Sequence, residues 1–131
     1  MIVRNCHDLS GTHRDVKGAG FNSLRAVLER DGVGFSLHQT RIKKGGPYHW
    51  HYTRHKEACY CISGCGIVTS LDTGERHRIQ QEDVYILNEN DDHEFEALTE
   101  VVLISVFTPA IKGNEIHQSD GSYEIARELF S

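Results

Sequence analysis

Turn signals cut this chain into apolar runs too short for helices, and that punctuation limits the fold more than any other feature. Asp31-Gly32, Ser63-Gly64 and Asp72-Thr73-Gly74 separate runs rich in β-branched and aromatic residues, at the spacing of roughly 8–12 residues that marks antiparallel strands. Residues 1–5, 21–29, 34–42, 58–62, 67–71, 76–80, 84–87, 94–98 and 101–107 read as strands. About nine short strands without a repeat predict an all-β sandwich or jelly-roll barrel. Residues 6–20 carry no period and read as a loop, and Gly45-Gly46-Pro47 is expected to break the sheet where a barrel wall bends. At 131 residues the chain is one domain, with a barrel over 1–109. Residues 110–131 are polar, only 123–130 look weakly helical, and the stretch reads as a lid or tail.

Within this frame HYTRHKEACYCISG, residues 51–64, is the candidate site. Side chains alternate faces along a strand, so an extended segment would set His49, His51, His55 and Glu57 on one side and Trp50, Arg54 and Lys56 on the other. Three imidazoles and a carboxylate suit zinc or ferrous iron; a solvated polar strand face is the plainer alternative. A second stretch, DVYILNENDDHEF at 83–95, runs from an apolar strand through a polar turn to one more imidazole, His93. Cys59, Cys61 and Cys65 lack the Cys-x2-Cys pair of structural zinc sites, and Cys59 and Cys61 lie in an apolar strand, which predicts buried reduced thiols.

Charge and hydropathy exclude several roles. A net charge of −5 and no basic cluster beyond Arg41-Ile42-Lys43-Lys44 argue against a nucleic-acid partner. No apolar run approaches the roughly 20 residues that span a bilayer, and the start of the chain lacks a secretory pattern, so a cytoplasmic address with no membrane partner is expected. A small molecule is the expected partner.

The two stretches resemble the paired motifs of the cupin superfamily, with six residues between Glu57 and Gly64, although Thr53 stands where the second histidine of the first motif would fall. More closely, HYTRHKEACYCISG, VYILNENDDH and VFTPAIKGNEIHQSDGSY resemble blocks of the ectoine synthases, from MIVRN through DGVGFSLHQT to Tyr123. The resemblance implies a cupin jelly roll and, as its activity, iron-dependent closure of N-gamma-acetyl-L-2,4-diaminobutyrate with loss of water. It further implies Fe(2+) on Glu57, Tyr85 and His93, with zinc or another divalent ion able to take its place. Tyr52 and His55 are the implied acid–base groups. Phe21, Ser23, Arg25, Thr40, Phe107, Glu115 and His117 are the implied substrate contacts, and a homodimer the implied assembly. Phe21, Ser105 and Thr108 depart from the tryptophan, cysteine and asparagine usual in that family. The alternatives are a cupin paralogue acting on another acylated diamino acid, an iron dioxygenase, which would consume oxygen, and a small-ligand-binding cupin without turnover.

Overall fold

The structure, a computed structural model, describes residues 1–113. Glu115, His117 and the weakly helical stretch 123–130 therefore lie outside the described residues. Ten strands form: β1 (Asp15–Gly18), β2 (Phe21–Val27), β3 (Ser36–Ile42), β4 (Gly45–His51), β5 (Lys56–Ser63), β6 (Gly66–Ser70), β7 (Arg76–Ile79), β8 (Val84–Leu87), β9 (Asp92–Ala97) and β10 (Val101–Thr108). They make a six-stranded sheet, β1-β2-β3-β10-β5-β8, and a four-stranded sheet, β4-β9-β6-β7, with antiparallel pairing throughout.

Period-two burial fixes which residues face the interior. In β9, Asp-His-Glu-Phe-Glu-Ala, the side chains of His93, Phe95 and Ala97 are buried while their neighbours are half-buried. A one-residue slip would turn that whole set outward, so burial of Phe95, which is 0% exposed, locks the register. Its removal from water contributes roughly 1.5–3 kcal/mol.

Strand pairing stacks the interior into layers. Phe21, Ile42 and Val101 lie in one line across the large sheet, followed by Ser23, Thr40, Leu103 and Cys61. Next comes a polar line of Arg25, His38, Ser105, Cys59 and Tyr85, and then Ser36, Phe107, Glu57 and Leu87. One apolar cluster gathers around Phe95, Val101 and Leu103, another around Leu28, Leu87, Phe107 and Ile111. The polar line lies between them.

Several expectations need correction. Residues 1–5 form no strand and lead into a 3-10 turn at Cys6–Leu9, while the expected loop 6–20 contains β1. Gly45-Gly46-Pro47 lies within β4, as a register shift between Gly45 and Tyr48. Positive φ at Gly45 and Gly46 lets the backbone bulge without ending the strand. All four cysteines are free thiols, with Cys59 and Cys61 buried. Among the described residues no helix is long and apolar enough to cross a membrane.

Asp31 fastens the N-terminal segment to this frame. Its carboxylate accepts from Arg4 at 2.7 Å, from the Leu28 amide at 2.9 Å and from Arg14 at 3.4 Å. The Arg4 hydrogen bond, the Leu28 amide and the charges of both arginines hold its pKa down at about 2, against the opposing effect of burial. A depressed carboxyl stabilises the fold fully above its unfolded value, near 4, and loses that contribution as pH falls through about 2. Asp31→Asn is expected to cost about 1–3 kcal/mol at pH 7 and to flatten the acid limb between about pH 4 and 2. Urea unfolding across that range checks both; an unchanged acid limb would count against the assignment.

Candidate active site

A cavity opens between the sheets beside the polar line. Phe21, Ser23, Thr40, Tyr52, Glu57, Tyr85 and Phe107 line it, together with His38, Trp50 and Ser105. Seven residues predicted from sequence thus meet in one place. Ser23 comes from β2, Thr40 from β3, Phe107 from β10, Glu57 from β5 and Tyr85 from β8, each at an inward position of its strand. Tyr85 and His93 also line an adjoining cleft that holds Glu75, His77 and Asp91, so Tyr85 joins the two spaces.

Electrostatics distinguish the two walls. Burial pushes the Glu57 carboxyl up to about 7, with hydrogen bonds from Cys59 and Ser105 opposing the shift. Burial, reinforced by Cys59 and Glu57, pushes the Tyr85 phenol well above its usual range, and burial does the same to the Cys59 thiol. Anions are disfavoured there unless a cation joins them. His93 comes from the opposite sheet. Its Nδ1 donates to the Asp91 carbonyl at 3.1 Å, which leaves Nε2 with a lone pair; that atom is buried and has no hydrogen-bond partner among the described residues. Burial lowers the His93 pKa, with the Asp91 carbonyl opposing, so the ring is held neutral. Two oxygen donors whose anionic forms need a cation, and an imidazole oriented through its other nitrogen, fit a divalent metal.

The four-residue set inferred from strand spacing does not form. β4 ends at His51 and residues 52–55 are irregular, so the two-residue period slips before β5 begins. Trp50 packs against the core, whereas His49 is exposed and pairs with Asp92, and His51 Nε2 hydrogen-bonds the Asn90 carbonyl at 2.9 Å. His55 is buried but lines a separate cleft with Thr53, Arg54 and Lys56, its ring edge-on to Phe107 at 6.1 Å. Among the described residues no three histidine, cysteine, aspartate or glutamate side chains converge as a metal-binding group. A set that includes the Tyr85 phenol is of a different kind.

Arg25 is fully buried and directly paired with His38, and its Nη1 donates to the Gly113 carbonyl at 2.9 Å. It lies beside the cavity lining. His38, Trp50 and Ser105 line the cavity without having been assigned a role there from sequence, and of these His38 carries a titratable ring. Its signal was the alternation His38-Gln39-Thr40, which puts it on the same face as Thr40.

The profile of the family described as "Ectoine synthase" matches residues 1–127. The L-ectoine synthase of Desulfosudis oleivorans is 44% identical over 129 residues, covering 98% of this chain and 100% of the relative. That of Oceanobacillus iheyensis is 43% identical over 128 residues, with coverage of 98% and 100%. The crystal structure of ectoine synthase from P. lautus superposes with a TM-score of 0.86 at 34% identity, covering 96% of this chain and 91% of that one. An RmlC-like cupin from Shewanella frigidimarina matches at TM-score 0.58 and 20% identity, over 73% of this chain and 82% of its own, and shows the fold alone. With the profile spanning nearly the whole chain and full-length relatives above 40% identity, this protein belongs to the ectoine synthase family.

Proposed function

We propose that the protein is an ectoine synthase, a hydro-lyase that closes N-gamma-acetyl-L-2,4-diaminobutyrate into its cyclic amidine with loss of water. The observation that carries this reading is a cavity between the sheets bearing Glu57 and Tyr85 on one wall and Ser23, His38 and Thr40 on another, in a chain 44% identical to an L-ectoine synthase. Substrate and product differ by one water, so the site must bend a flexible chain and keep bulk water out.

Glu57, Tyr85 and His93 are the residues that would hold a ferrous ion, whose chemistry when bound is Lewis-acid polarisation of a carbonyl. The chain's own groups do the rest. Phe21, Trp50, Tyr52 and Phe107 form aromatic walls that exclude water and favour a curled substrate, bringing amine and acetyl carbon together. Tyr52 lines the cavity, edge-on to Phe107 with ring centres 5.2 Å apart and 5.9 Å from the His93 ring, and in this reading its phenol donates a proton towards the departing oxygen. His55 supports Phe107 from outside the cavity and is a positioning residue. Thr40 and Ser105 hydroxyls lie 3.3 Å apart and offer polar contacts to the substrate amide.

The test is anaerobic reconstitution with ferrous iron, followed by chromatography of the acetylated diaminobutyrate. Loss of the linear compound and appearance of the cyclic product are expected, and a chelator should lower the rate at least about 100-fold. An iron-loaded protein that leaves the linear compound untouched removes this reading. Oxygen uptake during turnover would favour the dioxygenase alternative.

A further inference from the structure

His38 is 1% exposed. Its ring lies 5.2 Å from that of Phe107, and its Nδ1 is 3.3 Å from Ser23 Oγ. With the Nδ1 proton assigned to that bond, Nε2 is a buried lone pair without a hydrogen-bond partner among the described residues, in a side chain that lines the cavity. Leaving such an orphan buried is destabilising. A leucine in its place would cost nothing of the kind, so a ligand that completes the bond is the economical explanation.

The two walls of the cavity suggest which ligand group arrives there. Glu57 and Tyr85 stand on β5 and β8, Ser23 and His38 on β2 and β3, and β10 with Ser105 and Phe107 lies between them. An acetyl carbonyl directed to the Glu57 and Tyr85 wall leaves the amine end of the same molecule facing His38. The amine enters as an ammonium, which has protons to donate and no lone pair with which to attack.

We propose that His38 Nε2 accepts a proton from the substrate's α-ammonium and so frees the amine for ring closure, an inference that rests on the function proposed above. The amine lone pair then forms the C–N bond to the acetyl carbon, and the carbonyl π pair moves to oxygen. Tyr52 and the amine nitrogen each give one proton to that oxygen, which leaves as water; the proton held on Nε2 restores the Tyr52 phenol, and the ring keeps the positive charge as an amidinium. Burial, with Arg25 and His55 adding to it, holds the His38 pKa well below the usual histidine range, so the ring enters the reaction neutral. The same dry surroundings lower the pKa of an ammonium. The other titratable groups on the inward faces around it are Arg25 on β2, His55 ahead of β5, Glu57, Cys59 and Cys61 on β5, Tyr85 on β8, and, from the facing sheet, Tyr52 after β4 and His93 on β9.

The experiment measures kcat, KM, bound iron and melting temperature for wild type, His38→Gln and His38→Asn between pH 6.5 and 9.5. The expected result is a 100- to 1,000-fold fall in kcat at pH 7.5 with KM within about fivefold, iron content retained and melting temperature not lowered. The variants' kcat should then climb towards about tenfold per pH unit as solution deprotonates the amine, while the wild type changes less. Variants within threefold of wild type, or a deficit equal at every pH, would overturn the role of His38 and leave the ring-closing function standing. A wild type that fails to close the ring removes the function itself, and the His38 proposal with it.

Discussion

Glu57→Ala is expected to cut ring closure by at least about 1,000-fold and to bring bound iron to background, because it removes one of the two oxygen donors proposed for the metal together with the charge that would favour the cation. The same substitution should make the metal-free protein more stable at neutral pH. Burial raises the Glu57 pKa from 4.5 to about 7. A raised folded-state pKa contributes stability that is fully present below the unfolded value and is lost as pH rises through the folded one. Metal-free wild type should therefore weaken between about pH 4.5 and 7, by on the order of 3 kcal/mol, and Glu57→Gln should not. Parallel urea titrations of chelated wild type and Glu57→Gln measure the difference; identical pH profiles would mean that the carboxyl is better solvated than its place in the barrel implies. Recovery of activity in Glu57→Ala at high iron would place the metal on other side chains.

Gly64→Ala is expected to prevent folding or to cost about 4–5 kcal/mol, among the largest effects of a single methyl group. Gly64 joins β5 in one sheet to β6 in the other, with φ at +84°. A Cβ there would stand 2.0 Å from the Glu100 carbonyl oxygen, a backbone atom that cannot rotate away. Gly74→Ala provides the comparison: its φ is +78°, yet nothing lies within 4 Å of an added Cβ, so only the left-handed backbone penalty of about 1–2 kcal/mol applies. Soluble yield and melting temperature of the two variants separate collision from conformation. Equal losses would show that the approach to Glu100 relaxes easily.

Much of the fold was legible because its signals are local. The glycines of Asp31-Gly32, Ser63-Gly64 and Asp72-Thr73-Gly74 all lie between strands, since left-handed backbone at a glycine needs no distant partner. The N-terminal segment was misread for the opposite reason: Ile2 and Val3 have strand propensity but gain no sheet partner and stay exposed. β1 was missed because Asp15–Gly18 is polar, and its pairing with β2 comes from backbone hydrogen bonds rather than apolar burial.

The site divides along the same line. From the chain alone came the strand alternation around Glu57 and the second stretch ending at His93, while Ser23, Thr40, Tyr85 and Phe107 came from the family resemblance; all six turn inward because side-chain direction in a strand is a property of neighbouring residues. The three-dimensional arrangement alone decided that His49 and His51 face away, that His55 lies behind Phe107, and that His38 enters the cavity with an unpartnered nitrogen. Those outcomes depend on where β4 stops and on which strands face each other across the barrel. Both are set by packing between residues far apart in sequence, which no local pattern encodes.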